Sequence, residues 1–145
     1  MKKYKRRDFI KDSVALASLT ILPLNIMGNS KKNMIRTAHI GVGGMGKADL
    51  EYISSHKNVK VVALCDVDSD ILMTASKSHP KAKTYKDYRK LLNEMDSKID
   101  AVIVSTPDHT HAPASIMAMK MNKAVYCQKP LTHHVSEARE MRKIS

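Results

Sequence analysis

A glycine run, one acid, two histidines and one lysine are the residues of this 145-residue chain whose types and spacing could do chemistry. Gly41-Val42-Gly43-Gly44-Met45-Gly46 fits the pattern G-x-G-x-x-G, and Asp66 follows twenty residues after its last glycine. Between a strand and a helix, such a run binds a dinucleotide. Gly41 allows the tight turn, Gly43 lets the backbone approach a pyrophosphate, and Gly46 lets the helix pack closely on the sheet. Gly44 and Met45 lie in the same turn, where the free amides of a helix start face the phosphate. Asp66 can accept two hydrogen bonds from an adenosine ribose diol and would repel a 2′-phosphate. Val67, Asp68 and Ser69 follow it rather than Arg or Lys, so NAD is expected over NADP. The alternative is a flexible glycine turn and an acid that caps a helix.

Two later stretches add titratable groups. Thr106-Pro107-Asp108-His109-Thr110-His111 follows the apolar run Ile99–Ser105, and Gln128-Lys129-Pro130-Leu131 follows Ala124–Cys127. Open parallel sheets bind ligands beyond the carboxyl ends of their strands, so these loops belong where the reactive end of a dinucleotide would lie. His109 and His111 are spaced so that they could share a metal ion. No third ligand is evident, and no metal is expected. His133 and His134 read as loop or helix-start residues.

The elements that must position these residues alternate. Ile35–Val42, Val59–Leu64, a short Thr84-Tyr85 segment, Ile99–Ser105 and Ala124–Cys127 read as strands. Residues 47–56, 68–78, 87–95 and 111–121, and the stretch from Val135 onward, read as helices, with Asp87 and Ser136 as candidate caps. Ile71, Leu72 and Ala75 fall on one side of the second helix. Strands separated by helical patterns indicate βαβ units, and near-continuous apolar strands indicate a sheet covered on both faces. The expected fold class is α/β, a doubly wound parallel sheet of Rossmann type. It would be incomplete at its C-terminal end, because a full Rossmann domain continues to a sixth strand. Met117 and Met121, four apart, read as core filling.

G-V-G-G-M-G, C-D-V-D, S-T-P-D-H-T-H and C-Q-K-P-L-T-H together resemble the Gfo/Idh/MocA family, which includes glucose–fructose oxidoreductase and inositol dehydrogenase. The resemblance covers residues 34–145. It implies a Rossmann domain followed, in the family, by an α/β domain that holds the substrate and is absent here, so the chain reads as a fragment. Thr106 and Pro107 match the family's cofactor-lining loop, and His109 lies in the same motif. His111 matches a histidine that begins the next helix near the nicotinamide ribose. Gln128, Lys129 and Pro130 match the motif E-K-P, in which the lysine approaches nicotinamide and substrate and the proline is often cis. Gln128 departs from the usual glutamate, which alters the charge beside Lys129. The implied reaction is hydride transfer between a sugar or polyol and NAD, with Lys129 stabilising charge or relaying a proton. A glycosidase branch that uses NAD transiently is the alternative. Lys129 weighs toward the dehydrogenase. A nucleotide-binding fragment without catalysis is the third reading. The full-length form is expected to be homo-oligomeric.

Bulk properties narrow the classes. The net charge of +11 invites a polyanion partner, yet residues 1–28 contribute +4 of it and the other lysines are scattered, so a solvated basic surface is expected and no nucleic acid. An aromatic fraction of 4% with no Trp argues against stacking on single-stranded nucleic acid. Cys65 and Cys127 are too few for a disulfide framework and read as buried thiols, although an oxidising compartment would permit a bond. Arg6-Arg7-Asp8-Phe9-Ile10-Lys11, followed by a short apolar stretch from Val14 to Met27, resembles a twin-arginine signal. Residues 1–33 are therefore expected to be a signal peptide and polar linker, and the twin-arginine export machinery a partner. The chain would be periplasmic, or membrane-associated through an uncleaved signal. That route carries folded proteins, so a nucleotide would travel with the protein.

Overall fold

Runs rich in β-branched residues become the strands of one parallel sheet. The computed structural model describes residues 34–145; the signal peptide and linker expected over residues 1–33 lie outside them. The strands are β1 (Ile35–Ile40), β2 (Val59–Cys65), β3 (Lys83–Tyr85), β4 (Ala101–Val104) and β5 (Ala124–Cys127), ordered β3-β2-β1-β4-β5. Every pairing is parallel. The helices between and after them are α1 (Met45–Ser54), α2 (Ser69–Ser78), α3 (Tyr88–Met95), α4 (Asp108–Lys120) and α5 (Val135–Ile144). This is the expected doubly wound α/β fold.

The two-residue period of the strands divides the core. Ala38, Ile40, Ala63, Cys65, Val102 and Val104 face Leu91, Leu92 and Met95 of α3 and Ala114 and Ala118 of α4. Leu64 and Val61 pack with Leu50 of α1 and Leu72 of α2 on the other side, where Ile71 and Ala75 also lie. Met117 and Met121 pack against the first cluster. Fully burying one such leucine stabilises the fold by about 2 kcal/mol. Cys65 is buried and Cys127 half-buried, and both are free thiols. No helix among the described residues is long and apolar enough to cross a membrane.

Two helix starts differ from the expectation. α4 begins at Asp108, three residues before His111, because Pro107 is extended and can stand immediately before a helix whose first turn holds an acid. His109 and His111 are therefore helical. α5 is capped by His134 and not by Ser136. Glu137 at its third position accepts from the backbone N–H groups of His133 (3.1 Å) and His134 (2.9 Å), so the helix starts two residues earlier than a Ser136 cap would allow.

Candidate cofactor site

The strand order reverses between β1 and β4. α1 leaves β1 toward one face and α4 leaves β4 toward the other, which opens a crevice at their carboxyl ends. A groove of about 590 Å³ occupies it, and six residues singled out from the sequence line it: Gly41, Gly43, Asp66, Thr106, Pro107 and His109.

Gly41 has φ +83°, and a Cβ there would lie 2.6 Å from the carbonyl oxygen of Ser105, the residue after β4. Gly46 is buried, and a Cβ on it would run into the Gly41 carbonyl and stand 3.2 Å from Ser105 Cβ. Glycines at these two points let β1, α1 and β4 converge. At Gly43 the neighbour is a side chain instead of backbone. A Cβ there meets Ile71 Cδ1 of α2 at 2.9 Å, so the chain itself already crowds that point. Gly44, the residue before α1, has open space around it, and Met45 is exposed.

α1 is the one α-helix among the described residues with neither a side-chain cap nor an acid in its first turn. By contrast, Asp68 caps α2 by accepting from the amides of Asp70 (2.8 Å) and Ile71 (3.2 Å). The Lys47 amide donates to the Gly43 carbonyl at 3.3 Å, and the amides before it, with the positive end of α1, stand ready for an anion. Across the groove, Asp66 Oδ2 accepts from Val42 N (2.9 Å) and Oδ1 from Asp68 N (3.0 Å). These bonds fix the carboxylate and leave each oxygen a lone pair for a further donor. Thr106 Oγ1 is buried without a hydrogen-bond partner at the same groove, a group left for something absent from the chain. These three features fit a dinucleotide: amides for phosphate, a fixed acid for a diol, and a free hydroxyl.

His111 lies behind the groove, 2% exposed. Its Nδ1 is 2.6 Å from the carbonyl oxygen of Pro130 and its Nε2 is 2.7 Å from that of Thr106. The ring therefore pins the loop after β4 to the loop after β5. A neutral imidazole has one N–H for these two acceptors and a charged one has two. Gln128 and Lys129 stand on the second loop, outside the groove lining. Lys129 is exposed, and the Lys129–Pro130 peptide is cis, as the family resemblance implies.

Sequence reasoning missed Asp49 and the far wall of the groove. Asp49 shares the buried face of α1 with Gly46 and Leu50, and this three-to-four spacing was the available signal. Asp87, Tyr88 and Arg89 line the groove on the side of Asp66. Arg89 Nε and Nη2 bond the Asp87 carboxylate at 2.9 and 3.1 Å, and the guanidinium lies 5.5 Å above the Tyr88 ring. Cys65 also borders the groove. Burial pushes its thiol up to about 12, so it is a neutral wall rather than a nucleophile.

Residues 35–145 match a family described as "Oxidoreductase family, NAD-binding Rossmann fold". The chain belongs to this GFO_IDH_MocA family. Among GFO_IDH_MocA relatives, a glycosyl hydrolase family 109 protein of Stenotrophomonas maltophilia is 36% identical over 135 residues, covering 86% of this chain and 29% of its own length. Inositol 2-dehydrogenase of Salmonella typhimurium is 31% identical over 99 residues, covering 67% of this chain and 29% of the enzyme. Among solved structures, myo-inositol dehydrogenase of Lactobacillus casei, in complex with NAD(H) and myo-inositol, aligns with a TM-score of 0.70 at 28% identity, over 77% of this chain and 33% of that one. The chain thus spans under a third of the length of these curated relatives.

Proposed function

We propose that residues 34–145 bind NAD as part of an oxidoreductase that moves hydride between a sugar or polyol and the nicotinamide. The carrying observation is the pairing of an uncapped, acid-free α1 with the fixed carboxylate of Asp66 across one groove. Asp66 holds the adenosine ribose and sets the preference for NAD over NADP. Thr106, Pro107 and His109 line the path toward the reactive end. When bound, NAD supplies the hydride acceptor. Lys129 then stabilises negative charge on the substrate oxygen or relays its proton.

Titration of NADH into the 145-residue chain, followed by its fluorescence, tests the reading. Saturable binding displaced by NAD supports it, and no binding at millimolar nucleotide sinks it.

A second reading has its own support. The 36% identical relative is named a glycosyl hydrolase, and its match covers more of this chain than residues 34–145 alone can fill. In a protein of the relatives' full length, net NADH formed from a polyol marks the dehydrogenase. Sugar released from a glycoside without net NADH marks the hydrolase. Export through the twin-arginine route belongs to this proposal. Its support is Arg6-Arg7-Asp8-Phe9-Ile10-Lys11. Replacing Arg6 and Arg7 with Lys is expected to hold the chain in the cytoplasm, and unchanged fractionation would contradict export by this route.

A further inference from the structure

Asp49 is a buried carboxylate, 9% exposed, that nucleotide binding leaves without a task. Ser105 Oγ donates to its Oδ2 at 2.6 Å, and Gln128 Nε2 lies 3.2 Å from both of its oxygens. The other end of the same amide is also engaged: Gln128 Oε1 accepts from the backbone N–H of Lys129 at 2.8 Å. A carboxylate only accepts and a backbone N–H only donates. The Gln128 amide is therefore fixed in one orientation with both ends used. A chain of three residues joins α1, the end of β4 and the loop after β5.

We propose that Asp49 and Gln128 are a polarity-matched pair that positions Lys129, with the acid on α1 dictating an amide rather than a carboxylate at position 128. Gln128 is a positioning residue in this arrangement. A glutamate at position 128 could still accept from the Lys129 amide, but it would set a second carboxylate against Asp49. Two carboxylates that close do not both ionise without cost, so one must retain a proton. Such a pair holds together at low pH and comes apart as pH rises. Exchanging the roles repairs it. An asparagine at position 49 donates to a glutamate at position 128 and still accepts from Ser105, while that glutamate accepts from the Lys129 amide.

Other titratable groups reach this cluster. His39 on β1 feels Asp49, and burial first, then His79, lowers its pKa to about 4. Cys127 precedes Gln128, and burial pushes its thiol up. In the folded chain neither titrates between about pH 5 and about pH 8; His39 of the unfolded chain does, in the unsubstituted chain as in the variants, so melting is read relative to the unsubstituted chain. Lys129 follows Gln128 in the chain.

The proposal rests on the nucleotide reading only in giving the place of Lys129 a consequence, so its test has one readout with nucleotide and one without. The 145-residue chain, Gln128→Glu, Asp49→Asn and the double variant are melted without nucleotide and titrated with NADH from about pH 5 to about pH 8. Gln128→Glu is expected to lose melting temperature relative to the unsubstituted chain as pH rises. Its NADH affinity should fall at least about tenfold further across the range. The double variant should regain the original profile in both readouts. If Gln128→Glu yields no folded protein at neutral pH, recovery of folding in the double variant supports the pair. A Gln128→Glu profile parallel to the original, or a double variant no better than Gln128→Glu, overturns it. Absence of NADH binding in the unsubstituted chain, with the melting pattern intact, removes the nucleotide reading and leaves the pair standing.

Discussion

Gly46 lies so close beneath the carbonyl of Gly41 that a single methyl group at 46 has no space. The obstacle is backbone, which cannot swing aside as a side chain would. Gly46→Ala is expected to cost about 3 kcal/mol, at the upper end for an overpacked site. NADH affinity should fall with it, because the relief available is to push α1 off the groove. Chemical denaturation and NADH titration check both effects. Wild-type values for this variant would remove the close-approach explanation.

Asp66 links the glycine turn to the second strand through Val42 and Asp68. Asp66→Ala should lose about 1–3 kcal/mol of stability, since the two amides lose a charged acceptor. The preference for NADH over NADPH should shrink as well, because the repulsion of a 2′-phosphate is gone. Parallel titrations with the two nucleotides decide this. An unchanged preference would move the determinant to the Asp87–Arg89 wall.

His39 makes stability depend on mild acid. Its ring is fully buried on β1, with Nδ1 unpartnered and Nε2 3.2 Å from Thr37 Oγ1. Burial, reinforced by His79 and opposed by Asp49, brings its pKa from 6.5 to about 4. Above pH 6.5 the ring is neutral in both the folded and unfolded chain and has no effect. Below that, the unfolded chain takes the proton first, so stability falls until about pH 4, by about 3 kcal/mol in all. His39→Leu should flatten unfolding free energy across this window. Asp100, held down to about 2 by the Arg36 guanidinium, weakens the fold only at lower pH and does not confuse the measurement. His79, lowered by its own burial, keeps a part of the slope, so an acid slope undiminished in His39→Leu would contradict the assignment.

His111 is the pin between two loops, and its removal tests how far they depend on each other. His111→Ala strands the Thr106 and Pro130 carbonyls in a buried setting and leaves a cavity. The expected loss is about 3 kcal/mol. Hydrogen exchange should quicken at both loops while β1 and β2 stay protected. Exchange confined to one loop would show that the ring serves only that side.

Period and punctuation made much of this fold readable. Val59–Cys65 is dense in β-branched residues and Ala124–Cys127 is bounded by turns, so both strands stand close to where the pattern puts them. Ile71, Leu72 and Ala75 share a helical face, and Asp87 caps where it is expected. The start of α4 was hidden because Thr-Pro-Asp reads equally as a turn, and whether the chain continues as helix after it depends on packing of His111. The glycine run and Asp66 were legible because their spacing is local to one βαβ unit. Asp49 was not, because its partners Ser105 and Gln128 lie 56 and 79 residues away and no local pattern encodes a contact made through the sheet. The wall of Asp87, Tyr88 and Arg89 was missed for a similar reason: β3 has to lie beside β2 before they meet Asp66.

Residues 41, 46 and 105 share one small volume: two absent side chains and a serine whose backbone and Cβ fill what they leave. None of the three can grow unless the others move, and two cannot shrink. Sequence drift is therefore shut out at the centre of the crevice and displaced to its rim, where Val67 stands almost wholly in solvent. A lineage adapting this domain to a different nucleotide or substrate would find its freedom at that rim, and its descendants would differ there while agreeing at the hinge of the fold.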